Sequence, residues 1–299
     1  MTRAAERAGV PYALSTVAST SLEDVAATGH PDLWFQLYLW RDRQFARDLA
    51  RRAWAAGYCA VEVSVDVPVS GLRIRDERNG LTIPPRLTAA TLLGVAVKPS
   101  YWTGVLRHPA VTFANSPPDL GSATGMTIES MSALFDPSLT WNDVAEVRGW
   151  WPGALIVKGA LGPDGAREAV AAGADGLHLS SHGGRQLDRV VPPIDLLPVV
   201  REAVGEQTTI IVDSGIRHGA DLAVAVALGA DAGAVGRAYL YGLMAAGQAG
   251  VAHALALLSA EFTRTLELLG VSSVAELRAS GPRLLRRGAG PKLLGKTPV

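Results

Sequence analysis

Four stretches of the chain share one rhythm: a helix-forming segment closes on Ala-Gly or Leu-Gly and hands over to a short apolar or β-branched run. They read E-R-A-G-V-P-Y-A-L-S, W-A-A-G-Y-C-A-V-E-V-S, V-A-A-G-A-D-G-L-H-L-S and A-L-G-A-D-A-G-A-V-G. Glycine suits the left-handed cap that ends a helix, and a run without polar alternation suits a parallel strand covered on both faces. The pattern predicts a series of βα units with strands at 12–14, 33–37, 60–65, 155–158, 176–179, 210–213 and 232–235. Helices are expected after them, among others at 41–56 and 219–228.

Polar residues gather where these strands end: Ser15, Gln36 with Tyr38, Ser64 with Asp66, Lys158, His182 with Arg185, Asp213, and Gly236 with Arg237. A (β/α)8 barrel collects its active site at that carboxyl-end face from several strands. An open doubly wound sheet would concentrate its ligand groups at one switch point. The spread favours an α/β fold of the TIM (β/α)8 barrel type. Seven βα units are readable where closure needs eight, and the deficit sits at the front, so the barrel is expected to lack its first strand.

The 299 residues fit one barrel domain, 1–299, and their 48% hydrophobic content is enough for a large core. Lys plus Arg (28) balance Asp plus Glu (28), which leaves no bulk positive field for nucleic acid. A single cysteine, Cys59, excludes an intrachain disulfide and a cysteine-rich metal site, and suits a reducing cytoplasmic setting. Residues 238–260 contain no Asp, Glu, Lys or Arg and are long enough to cross a bilayer. Gly242, Gly247, Gly250, Gln248 and His253 interrupt the run, which reads instead as two buried helices joined by a turn. Between 67 and 140 one connection breaks the short-loop rule. An insertion of that length after the third strand is expected to be a lid or a partner-binding excursion, with Trp102, Val105, Leu106 and Phe113 either making its surface sticky or tucking it onto the barrel.

The stretch S-S-H-G-G-R-Q-L-D resembles the catalytic signature of the FMN-dependent 2-hydroxy acid dehydrogenases and oxidases, in which Asn is usual where Ser181 stands. L-S-T-V-A-S-T-S-L-E-D-V, W-F-Q-L-Y, V-D-V-P-V-S-G-L-R-I-R-D-E-R-N-G, I-V-K-G, D-S-G-I-R-H-G-A-D and G-R-A-Y-L-Y-G-L fall in that family's order. N-G-L-T-I-P-P-R-L-T-A-A-T-L-L, V-T-F-A-N and F-D-P-S-L-T-W-N-D-V look most like the respiratory L-lactate dehydrogenases. The resemblance implies an oxidoreductase with FMN as cofactor, since no side chain accepts a hydride. It makes His182 the base and Asp66 its orienting carboxylate, with Arg185, Arg73 and Tyr38 holding the substrate acid. For the flavin it implies Lys158 beside the pyrimidine edge, and Ser15, Gln36, Ser64 and Asp213 on the ring and ribityl chain. Gly215, Arg217, Gly236 and Arg237 fall after the last two strands, where such barrels hold phosphate. Ser214 replaces the first glycine of the usual D-G-G.

Family chains begin earlier, with a leader and a first strand, and residues 1–8 correspond to the helix after that strand. The expectation is two open strand edges, at Tyr12 and at Ala232. A misplaced start codon, a gene remnant, or a second polypeptide supplying the piece are the alternatives. The leading function is oxidation of a small L-2-hydroxy acid, L-lactate foremost, to the 2-oxo acid, with electrons passing to quinone, cytochrome or oxygen. A catalytically inactive binding module is the competing one. By analogy the chain would form homo-tetramers and touch the inner face of the cell membrane peripherally.

Overall fold

The computed structural model describes residues 1–80, 89–98, 113–115 and 133–285. All seven expected strands are present in them: β1 (Tyr12–Ser15), β2 (Leu33–Tyr38), β3 (Ala60–Ser64), β4 (Ala154–Gly159), β5 (Gly176–Leu179), β6 (Thr209–Val212) and β7 (Ala232–Gly233). They pair in parallel and in chain order. Helix α1 (Thr2–Ala8) precedes β1; α2 (Leu22–Ala26) and α3 (Arg43–Ala55) follow β1 and β2. After β3 come α4 (Ile74–Arg78), α5 (Ala89–Ala96) and α6 (Trp141–Trp150). The remaining units carry α7 (Pro163–Ala171), α8 (Pro193–Val204) and α9 (Gly219–Ala227), and β7 leads into α10 (Arg237–Leu269) and α11 (Val274–Leu284).

Strand residues alternate between two environments, as a period of two requires. Leu33, Phe35 and Leu37, Val61 and Val63, Leu155 and Val157, Leu177 and Leu179 form one buried cluster with Leu49, Val144, Ala166 and Leu197 from the helices. The intervening residues face the barrel interior. Its floor is apolar: Ala60, Ile156 and Ile211 pack with Trp34 and Ala234. Above that floor the inward positions turn polar, at Gln36, Glu62, Lys158, His178 and Asp213.

One strand-sequence repeat becomes a structural repeat. In the two G-A-D phrases that lead into β5 and β7 the aspartate ties the start of the neighbouring strand to the helix before that strand. Asp175 Oδ2 accepts from the Leu155 amide at 2.8 Å and pairs with Arg148 at 2.8 Å. Asp231 Oδ2 accepts from the Ile210 amide at 2.8 Å and pairs with Arg201 at 2.6 Å. Arg201 is buried and also donates to the Gly205 and Thr208 carbonyls.

Strands β1 and β7 are the two edges of the sheet, as expected, yet α1 packs against α10 across the gap between them. β7 is shorter than its sequence run, because only Ala232 and Gly233 pair with β6. The expectation for 238–260 needs correction. The segment does turn, at Ala246 and Gly247, where Gly247 has φ 57°, but of the whole helix α10 only Val251 is buried. Leu240, Tyr241, Met244 and Leu257 are exposed. The helix follows the last strand of the sheet, so on one side it meets α9 and α1 while no further strand among the described residues lies beneath it. By length and composition it is the one described helix able to cross a membrane.

Within the 67–140 connection, Trp102, Val105 and Leu106 lie outside the described residues, and Phe113 is half-buried. The connection is pinned where it returns: Asn115 is buried and accepts from the Leu22 amide, and Trp40 bridges Phe135.

Removing the counter-charge of the buried Arg201 guanidinium leaves it uncompensated and frees a strand amide. Asp231→Ala is expected to lower the unfolding free energy by roughly 2–4 kcal/mol in a urea melt; an unchanged midpoint would show that the repeated aspartate is dispensable.

Candidate active site

Parallel strands running one way deliver their carboxyl ends to a single rim, and the residues expected there do converge. Across β1, β2 and β3, Ser15 Oγ donates to Gln36 Oε1 at 3.1 Å and Gln36 Nε2 donates to Ser64 Oγ at 3.0 Å. Tyr38 ends β2 with its ring edge-on to Phe135, centroids 5.4 Å apart. Burial raises its hydroxyl above the ordinary phenol range.

His182 sits in a short 3₁₀ turn after β5 with φ 53°, a left-handed conformation costly for a side-chain-bearing residue. Two contacts hold it there. Its amide donates to Ser180 Oγ at 3.0 Å, and its Nδ1 lies 2.7 Å from Asp66 Oδ2. Asp66 Oδ1 is buried without a hydrogen-bond partner among the described residues, so this carboxylate depends on the imidazole.

Ser214, also left-handed at φ 63°, binds the same turn from the next strand. Its hydroxyl accepts from the Ser181 and Gly183 amides at 3.0 Å each and donates to Asp213 Oδ1. The residue that departs from the usual glycine thus braces the histidine loop. Arg237 reaches the same loop, donating to the Gly183 carbonyl at 3.2 Å. A side chain at Gly183, itself at φ 65°, would run into that guanidinium.

Arg185 is half-exposed, with Asp76 at 3.8 Å as its nearest carboxylate. Burial and the neighbouring Arg185 charge lower the Arg73 guanidinium from its usual range. Two cations that repel each other beside the His182 turn make a site for an anion. Gly215, Arg217, Gly236 and Arg237 are exposed, and no atom stands where a side chain at Gly215 or Gly236 would be. Gly236 is the N-cap of α10, a helix end that favours a phosphate. The Arg217 guanidinium has no hydrogen-bond or ion-pair partner among the described residues.

The sequence reading missed Glu62 and His178. Glu62 lies on β3 two residues before Ser64, and His178 on β5 two residues before Ser180, so strand alternation puts both on the interior face. His178 Nδ1 is 2.7 Å from Glu62 Oε2, and its Nε2 is 3.3 Å from Asp213 Oδ2. Lys158 Nζ is 3.2 Å from Glu62 Oε1 and 3.8 Å from Asp213 Oδ2. Burial would raise the Glu62 carboxyl, but the His178 and Lys158 charges outweigh it and hold it at about 2. Burial would lower His178, yet Glu62 and Asp213 push it up to about 9. Desolvation opposes the charge on Lys158 as well, and the same two carboxylates raise it above the usual ammonium range.

An apolar cavity of about 670 Å³ opens beside Asp66, lined by Val65, Leu139, Trp141, Leu161, Leu187 and Val190. It adjoins the charged rim without including Lys158 or Arg185. No cluster of metal-ligating side chains occurs among the described residues.

The donor set suits a molecule with a polar heterocycle at one end and a phosphate at the other: an amide–hydroxyl row, a lysine, then open glycines, two arginines and a helix N-terminus. Fold and rim define a flavin-nucleotide barrel. The chain belongs to the FMN-dependent dehydrogenase family, whose profile matches residues 1–284, and its cofactor is FMN. It is 43% identical over 279 residues to an L-lactate dehydrogenase of Caulobacter vibrioides, covering 92% of this chain and 72% of that protein. It is 48% identical over 286 residues, 95% of this chain and 68% of the other, to a Mycobacterium tuberculosis protein provisionally assigned as an L-lactate dehydrogenase. Among solved structures, the monotopic membrane protein (S)-mandelate dehydrogenase matches with TM-score 0.86 at 38% identity, over 92% of this chain and 73% of that one. A mandelate oxidase variant with a C4a-OH-FMN adduct matches with TM-score 0.75 at 40% identity, over 93% and 71%. The chain is an FMN-dependent 2-hydroxy acid dehydrogenase or oxidase.

The buried cluster links stability to pH in a stated direction. His178, raised from 6.5 to about 9, contributes stability that is full below pH 6.5 and lost as pH rises through 9. Glu62, lowered from 4.5 to about 2, contributes stability that is full above pH 4.5 and lost as pH falls through 2. The melting temperature of the chain should therefore be highest between pH 4.5 and 6.5 and decline toward pH 9. That alkaline decline should flatten in His178→Leu; an identical slope in both proteins would show that His178 does not carry it.

Proposed function

We propose that the chain oxidises L-lactate to the 2-oxo acid with His182 as the base. The observation that supports this most is the Nδ1 contact of His182 with Asp66 at 2.7 Å, which leaves Nε2 without a partner among the described residues. FMN, when bound, supplies the acceptor for the electron pair that no side chain can take.

In this reading Arg185 grips the substrate carboxylate through two parallel hydrogen bonds, with Arg73 as second cation and the Tyr38 hydroxyl completing the pocket. His182 Nε2 takes the proton of the substrate hydroxyl, and the Asp66 carboxylate stabilises the imidazolium that forms. Lys158, Ser15, Gln36, Ser64 and Asp213 hold the flavin ring and ribityl chain. Gly215, Arg217, Gly236 and Arg237 hold the phosphate. Residues 1–299 act as one barrel domain, with 67–140 as an inserted segment. Electrons leave to a quinone, a cytochrome or oxygen. A cytoplasmic chain in peripheral contact with the membrane and assembled as a tetramer fits this role, and the monotopic (S)-mandelate dehydrogenase lends support to the membrane contact.

Anaerobic mixing of the FMN-loaded chain with L-lactate should bleach the flavin absorbance. A loaded chain whose spectrum L-lactate leaves unchanged would contradict the reading, and bleaching by (S)-mandelate alone would move the substrate to an aromatic acid. His182→Asn should retain FMN and slow the bleaching by roughly 10²–10⁴-fold. Arg185→Met should raise the half-saturating L-lactate concentration about 10- to 100-fold, the equivalent of losing a charge-assisted hydrogen-bond pair.

A further inference from the structure

The interior of such a barrel is normally filled by branched apolar side chains, and below the rim this chain instead buries two carboxylates and two cations. Glu62 and His178 are nearly inaccessible, with 2% and 5% of their side chains exposed, whereas Lys158 retains 16%. Of the four, Lys158 is the cation closest to the mouth, and Asp213 at 19% is the matching anion. Glu62 holds both cations at once: Oε2 binds His178 Nδ1 at 2.7 Å and Oε1 meets Lys158 Nζ at 3.2 Å. His178 Nε2 is buried 3.3 Å from Asp213 Oδ2 but out of hydrogen-bond alignment, so the Glu62 bond orients the ring and the Asp213 contact is one of charge.

This geometry decides where Lys158 sits. With a neutral or absent ring at 178, the two carboxylates would share a single ammonium, and Lys158 would be drawn inward between them. With the imidazolium present, each carboxylate has a cation of its own, and the ammonium can face the mouth. Neither Glu62 nor His178 reaches the rim, so any effect on a bound ligand passes through Lys158 or Asp213.

We propose that Glu62 and His178 are positioning residues for the FMN site, a buried charge pair beneath Lys158 that keeps its ammonium available to the flavin. The inference rests on Lys158 facing the bound FMN. It separates the chain's interior into a lower pair that sets position and an upper pair that meets the ligand.

The test is a cycle on the full chain, read by FMN titration and thermal melting. Glu62→Leu and His178→Leu each strand a buried charge and should lower the melting temperature, and the double variant should recover most of that loss. Lys158→Met should weaken FMN binding roughly 10-fold or more in the unaltered chain and less than about threefold beside His178→Leu, because there Glu62 and Asp213 share the one ammonium and draw it inward. His178→Gln, which keeps hydrogen bonding to Glu62 while removing the ring's charge, should give the same small Lys158→Met penalty should the leucine variant fail to fold. An equal Lys158→Met penalty in the unaltered chain and in the His178 variants, or unchanged FMN affinity in His178→Leu, overturns the inference while leaving the FMN site intact. An unaltered chain that binds no FMN overturns both.

Discussion

A charge inside a barrel persists only if an opposite charge lies within a few ångströms, because desolvation costs each ion several kcal/mol. That constraint organises this chain from the floor of the barrel to its mouth. Ala60, Ile156 and Ile211 below need no partners. One storey up, Glu62, His178, Lys158 and Asp213 form a closed set of two negative and two positive groups. The rim can then offer cations to a ligand without exposing the interior to unbalanced charge.

The same chemical pair occurs twice between β3 and β5. Glu62 with His178 and Asp66 with His182 are both carboxylate–imidazole contacts of 2.7 Å, the upper pair four residues further along each chain segment. Environment separates their uses. The lower ring is locked between two carboxylates and has nowhere to send a proton. The upper one is about a quarter exposed, and its Nε2 has no partner among the described residues. A strained backbone at His182, braced by Ser214 and Arg237 from the neighbouring strands, shows that the upper position is specified rather than incidental.

Much of this was legible in the chain. The Ala-Gly and Leu-Gly punctuation located four of the seven described strands, apolar runs located the other three, and the polar residues after the strands located the rim. Glu62 and His178 were hidden inside runs that read as wholly apolar, though their spacing of two from Ser64 and Ser180 marks them as interior. A carboxylate and an imidazole in central strands require partners, and Lys158 on the intervening strand was the clue. Exposure of α10 was not legible, since composition describes a helix's faces but not which neighbours cover them. Arg217 and Gly215 are exposed, and their place at the rim was legible only from their position after β6.

The central claim is that the interior layer holds a charged imidazolium at neutral pH, and ¹⁵N NMR of the histidine side chains in the full protein reads it directly. The ring assigned to His178 by its loss in a substituted chain should carry protons on both nitrogens at pH 7.5 and lose one with a midpoint of about 9. A neutral His178 ring at pH 7.5 would leave the layer with an unbalanced carboxylate and contradict the account.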